Sequence, residues 1–132
     1  MLARIRKSME ERDEGFTLVE LLVVVIIIGI LAAIAIPTFL NQREKAWARA
    51  AQSDLRNAAT QAESYFGDNG TYPTLAQLTG DYAVKTSDGV TLAVISQSDT
   101  AYCMSADHAN LPATKTYYFS SATGKPSLTV CT

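Results

Sequence analysis

Cationic charge is scarce in the second half of this chain, and the scarcity leaves one class of partner unsupported. Past Gly70 the basic residues are Lys85, Lys115 and Lys125, with Asp81, Asp88, Asp99 and Asp107 spread among them. That mixture forms no patch for a phosphate backbone, so nucleic acid is not a predicted partner. Catalytic machinery is equally thin. The chain carries one histidine, and no serine elbow, phosphate loop or Cys/His metal spacing is present. The acids past Gly70 are too scattered for a calcium loop. His108, beside Asp107 and five residues after Cys103, reads as a solvated loop histidine rather than a base. No catalytic residue, metal site or cofactor is predicted, and the chain is not read as an enzyme. Repeats and low-complexity linkers are missing too, which leaves one domain with appendages.

A second absence is sharper. Between Phe16 and Leu40 the sole charged residue is Glu20. Leu21 to Leu40 is long enough for a helix to cross about 30 Å of hydrocarbon. An ionised carboxylate in that run costs on the order of 2.5 kcal/mol or more. Two breakers, Gly29 and Pro37, lie inside the run. Pro37 removes a backbone donor and crowds the carbonyl of Ala33, so a kink or local unwinding is expected there.

Three identities fit this block. It could be a secretory signal, with Arg4, Arg6 and Lys7 as its basic region and cleavage after Ala35 in Ala33-Ile34-Ala35, releasing a soluble secreted protein. It could be an uncut single-pass anchor. Or it could be cut on its polar side, at Gly15, and retained. Glu10, Glu11, Asp13 and Glu14 crowd the start of the run, where a secretory signal is normally basic. Lysine and arginine counting does not fix orientation, because Arg43, Lys45 and Arg49 balance the leader's bases. The block alone leaves all three open.

The cysteines, Cys103 and Cys131, both follow the apolar block. In an exported chain such a pair reads as one disulfide, worth ~3–4 kcal/mol in the chain-entropy model.

The stretch "GFTLVELLVVVIIIGILAAIAIP" closely resembles the N-terminus of type IV pilins and pseudopilins. The pattern joins a Gly, an aromatic, a Glu five residues after the Gly, a long apolar run and a closing proline. The resemblance implies that a membrane-embedded prepilin peptidase cuts between Gly15 and Phe16 and N-methylates Phe16. It implies that Glu20 serves subunit assembly and that the apolar helix becomes the core of a helical homopolymer. The Gly29–Pro37 segment would unwind on assembly. Further implied partners are membrane lipid, an assembly platform and, indirectly, its ATPase. The precursor would span the cytoplasmic membrane once before joining a surface filament of a bacterium. The alternative within the family is a pseudopilin of a type II secretion or DNA-uptake machine. The leader departs from many in the family, carrying as many acids as bases. A physical reason agrees with the role given to Glu20. Cleavage creates a cationic amine at Phe16, and Glu20 lies one helical turn on, roughly 6 Å along the axis.

The expected fold is α+β and pilin-like, with one long N-terminal helix packed on a small antiparallel sheet. Residues 1–15 form the leader, 16–40 the membrane and filament-core helix, and 41–132 the globular domain. After Pro37, Trp47, Ala51, Leu55, Ala58, Ala62 and Tyr65 share one helical face. One helix from Phe16 to Phe66 follows, ~75 Å long, ended by Gly67-Asp68-Asn69-Gly70. Within the loop 67–81, Thr74-Leu75-Ala76-Gln77 fits a capping box. From Tyr82 the pattern is β, with two strands around Ser87-Asp88-Gly89, a third in "TAYCMSA" and two more around Thr123-Gly124-Lys125.

Overall fold

In a computed structural model, residues 1–10 and 15–132 are described; the expected acidic cluster at Glu11, Asp13 and Glu14 lies outside them. Three helices precede three strands. They are α1 (Leu2–Glu10), α2 (Leu18–Asn69), α3 (Leu75–Gly80), β1 (Val90–Gln97), β2 (Tyr102–His108) and β3 (Tyr117–Ser120). Contacts divide the chain into two units, Met1–Leu40 and Asn41–Thr132.

In the second unit, the stripe expected on α2 is where the core sits. Ala51, Leu55, Ala58, Ala59, Ala62 and Tyr65 are buried, and Leu55 and Ala58 are fully so. The antiparallel meander β1-β2-β3 supplies Val90, Leu92, Met104, Ala106 and Phe119 to the same core. Register pairs Leu92 with Ala106 and Met104 with Phe119. Alternation along β2 puts Cys103 on the face opposite Tyr102 and Met104. There the tail carrying Cys131 covers it, and the two form a disulfide with a Cα–Cα distance of 5.8 Å.

The helix ends three residues later than expected, at Asn69 rather than Phe66. Gly70 takes φ +75 and its N–H donates to the Phe66 carbonyl, a left-handed stop that suits glycine. The capping box at Thr74 is present in full, with both reciprocal bonds to Gln77.

Two of the five expected strands are not formed. Residues 82–86 are irregular. The Ser87-Asp88-Gly89 turn exists, with Gly89 at φ +79, but what precedes it is tied to helices instead. Val84 N–H donates to the Leu78 carbonyl, and the Ser87 N–H and hydroxyl both donate to Asp54 on α2. Backbone donors spent on the helix side leave no ladder for a strand. The observed hairpin is β1–β2, closed at Ser98–Ala101 by Ser98 N–H to the Ala101 carbonyl. After Gly124 the last expected strand shrinks to one bridge, Tyr118 with Ser127. Pro126 has no N–H to offer a ladder, which stops the pairing there.

Among its described residues the first unit buries none. From Leu21 to Leu40 every residue but Ala32 is exposed. Among the described residues, α2 is the one helix long and apolar enough to cross a membrane. Its apolar run continues helically through Pro37, so the local unwinding expected there is absent. The Thr38 hydroxyl donates to the Ile34 carbonyl at 3.0 Å, a back-bond of the kind that bends helices, while the carbonyl that loses the proline's donor is that of Ala33. Gly29 likewise lies in regular helix.

Candidate assembly site at the start of the long helix

α2 begins just after Thr17, and Thr17 and Glu20 make its first turn. Glu20 N–H donates to the Thr17 hydroxyl at 3.2 Å, and Thr17 N–H donates to the Glu20 carboxylate at 2.9 Å. This is a capping box: a threonine and, three residues on, a glutamate satisfy each other's backbone donors. The negative side chain also sits in the first turn, where the helix dipole favours it. Gly15, Phe16, Thr17 and Glu20 line one shallow recess. Phe16 is 93% exposed, so the bond preceding it and its own nitrogen are open to a second protein.

Beyond Glu20 the surface is uniform. Leu21, Ile28, Ile34, Ile36 and Phe39 are all more than half exposed, on every side of the helix. A helix apolar all round needs lipid or other helices for cover. Thr17, Glu20, Gly29 and Pro37 therefore share one surface-lying segment, with Glu20 at its polar end.

The sequence-predicted residues of the second unit lie elsewhere and serve packing. Cys103 and Cys131 pin the tail. His108 is not solvated: it is 6% exposed, at the end of β2. Its ring stacks on Trp47 at 5.6 Å, and Nδ1 accepts the Asn110 N–H at 3.1 Å. An added Cβ at Gly89 would lie 2.9 Å from the imidazole, so that glycine makes room for the ring. Arg43 sits 5.1 Å from the centre of the Trp47 ring. Asp107 is exposed and does not orient the imidazole. Among the described residues, no group of three His, Cys, Asp or Glu is placed to hold a metal ion.

Two residues matter that reading by single charges overlooks. Thr17 is one, although Thr-x-x-Glu before an apolar run is itself a helix-start signature. Asp54 is the other, a buried acid on the core stripe that holds Ser87. A cluster of phenols surrounds a further acid on α2. Tyr72 donates to Glu63 at 3.2 Å and 3.3 Å. Burial and then the Glu63 charge push the Tyr72 and Tyr102 hydroxyls above the usual phenol range. Tyr82 donates to Asp68, and that bond, with desolvation, pushes its pKa up to about 12.

Comparison with known proteins agrees with this geometry. The family described as the prokaryotic N-terminal methylation motif matches residues 12–36. The type IV wide pilus major component of Thermus thermophilus is 38% identical over 96 residues, 72% of this chain and 73% of that protein. The type II secretion system core protein G of Dickeya chrysanthemi is 42% identical over 69 residues, 52% of this chain and 45% of that protein. The type IV major pilin protein of Myxococcus xanthus is 42% identical over 69 residues, 52% of this chain and 31% of that protein. The chain thus spans about half the length, or less, of the last two. The 38% identity to the Thermus thermophilus pilus component over 72% of this chain, together with the methylation motif, establishes that the chain belongs to the type IV pilin and pseudopilin family.

Proposed function

We propose that this chain is the precursor of a pilin-like structural subunit that polymerises through the apolar half of α2. Residues 1–15 are the leader, 16–40 the membrane and filament-core segment, and 41–132 the globular head. Prepilin peptidase cuts between Gly15 and Phe16 and methylates the new Phe16 amine. Lipid of the cytoplasmic membrane covers Leu21–Leu40 before assembly. Copies of the same chain cover it afterwards, in a surface filament built by an assembly platform and its ATPase. The role is structural, not enzymatic.

The observation that carries this reading is the exposed apolar run that follows a capped Glu20. In the mature chain Glu20 keeps its bond to the Thr17 N–H and accepts the Phe16 amine of a neighbouring copy. A staggered neighbour in register satisfies the carboxylate. Any other stagger strands it in an apolar surround, a loss of a few kcal/mol. The Gly29–Pro37 segment, helical in the single chain, is the stretch that loosens on assembly, because it holds the helix's one proline and an interior glycine, both weak helix formers.

A second reading within the family is a pseudopilin, favoured by the 42% identity to the Dickeya chrysanthemi secretion protein. Deleting the gene separates the two. Loss of surface filaments supports the pilus, and loss of exoprotein release or DNA uptake supports the pseudopilin. For the shared reading the test is the intact mass and first residue of the mature protein. A chain starting at methylated Phe16 is expected. One starting at Ile36 would establish ordinary secretion, and one starting at Met1 in peptidase-competent cells an uncut anchor.

A further inference from the structure

The leader contains a helix that the reading above does not use. Leu2 and Ile5, three residues apart on one face of α1, are 82% and 55% exposed. They line a single recess with Ala3 and Arg6, so apolar surface and a guanidinium share one side. Arg4 and Lys7 bring two more bases, and the acids of the leader come later, at Glu10, Glu11, Asp13 and Glu14. Over Met1–Glu10 the charge is three side-chain bases against one acid. The leader is balanced as a whole and cationic at its start.

α1 has nine residues. Isolated helices shorter than about 12–15 residues are marginal in water, and an amphipathic one gains most by laying its apolar side on a surface. The surface within reach is set by chain length. Residues 11–17 separate α1 from α2. Seven residues span at most about 25 Å when fully extended. If α2 crosses the membrane, α1 is therefore held beside the bilayer at high effective concentration.

We propose that α1 is an interfacial helix that docks the precursor's leader on the anionic face of the cytoplasmic membrane. Leu2 and Ile5 enter the boundary between headgroups and acyl chains. Arg6 extends its apolar stem along that boundary and places its guanidinium among lipid phosphates. Arg4 adds attraction within a Debye length of the surface. Each base close to an anionic leaflet changes partition roughly fivefold. This docking rests on the membrane-spanning reading of Leu21–Leu40 and adds a second lipid contact, one that leader cleavage removes.

The test uses the full-length uncleaved precursor. Trp47, the single tryptophan, is replaced by Phe, and a reporter is introduced as Ile5→Trp in one protein and Ile28→Trp in another. Both are reconstituted into phosphatidylglycerol-rich vesicles and into phosphatidylcholine vesicles carrying brominated acyl chains. The Ile5→Trp emission should be blue-shifted and quenched in the anionic vesicles. Adding Arg4→Gln, Arg6→Gln and Lys7→Gln should cut the docked-to-undocked ratio at least tenfold. An Ile5→Trp reporter that stays water-like in both lipids, while Ile28→Trp is quenched, overturns the docking and leaves the span intact. Equal quenching in both lipids, unchanged by the triple substitution, overturns the anionic partner. Protection of the Ile5→Trp reporter only on adding prepilin peptidase assigns the face to a protein and also overturns the proposal. An Ile28→Trp reporter that escapes quenching overturns the membrane span and the docking together.

Discussion

Residues 21–40 and residues 51–65 belong to one helix and treat apolar side chains in opposite ways. The first stretch is Leu, Val and Ile on every side, and nearly all of it is exposed. The second is a stripe of small residues with Ala51, Leu55 and Ala58 wholly buried. Helical geometry is the same in both, so the difference lies in where cover comes from. A narrow alanine stripe is satisfied by one sheet in the same chain. A helix apolar all round cannot be covered by anything on one side, and it must find lipid or copies of itself. Intramolecular folding and assembly are thus written into successive turns of a single element.

Cutting the helix between the two stretches is the most severe way to probe that division. A chain starting at Asn41 keeps the whole second unit, including the core and the disulfide. It should be soluble and monomeric by sedimentation, with filaments entirely absent. Filaments from this piece would place the polymerising contacts in the head.

Glu20→Ala tests the polar end of the exposed stretch. The precursor should insert at least as well as wild type, because a charge leaves the lipid. Cleavage after Gly15 should persist. Filament yield in sheared fractions, measured against membrane-retained subunit, should fall at least tenfold. Glu20→Gln should keep most of the helix cap and still assemble poorly. Normal yield from both variants would show that packing alone sets register.

A smaller effect is expected at Asp54, within the covered stretch. Asp54→Ala leaves the Ser87 N–H without its acceptor, a cost of about 1–3 kcal/mol. Thermal or urea melting of the head should show it, with filament assembly retained at low temperature. An unchanged melting curve would mean that the 82–87 segment holds its place by other bonds.

The mildest probe is alkaline pH. Tyr82 titrates near 10 when unfolded and about 12 when folded. Its contribution to stability is therefore intact below pH 10 and lost as pH rises through 12. Tyr72 and Tyr102 are shifted the same way. The head's melting temperature should fall across that window, and Tyr82→Phe should flatten the fall. A melting temperature that rises there would contradict the hydrogen bond to Asp68.

Much of this molecule is legible in its sequence, because both halves of α2 announce themselves by periodicity. Three-and-four spacing from Trp47 to Tyr65 names the buried stripe, and unbroken apolarity names the exposed one. Thr74-x-x-Gln77 and Gly70 mark helix ends by local chemistry alone. The misreadings at Ser87 and His108 involve competition at a distance. Nothing local to residues 82–86 reveals that Asp54, 33 residues earlier than Ser87, captures that serine's donors. An acid among alanines reads as a solvated position until its partner is seen. His108 reads as loop because the Trp47 ring that covers it is remote in sequence. At the candidate site, Glu20 is prominent as a lone charge, and that prominence hides its local bond with Thr17. Pro37 reads as a kink or local unwinding, yet α2 runs through it as helix.

The central claim is that copies of this chain cover residues 21–40, and a photocrosslink inside that stretch tests it most directly. Ile27, exposed in the single chain, is replaced by the photoreactive p-benzoylphenylalanine in the full-length precursor. Filaments are sheared, irradiated and digested, and the adducts are mapped by mass spectrometry. The prediction is a subunit–subunit adduct in filaments whose partner peptide lies within residues 16–40 of another copy, replaced by lipid adducts in the membrane-retained pool. Adducts confined to residues 41–132 of a neighbour, or no adduct between subunits in intact filaments, would contradict it.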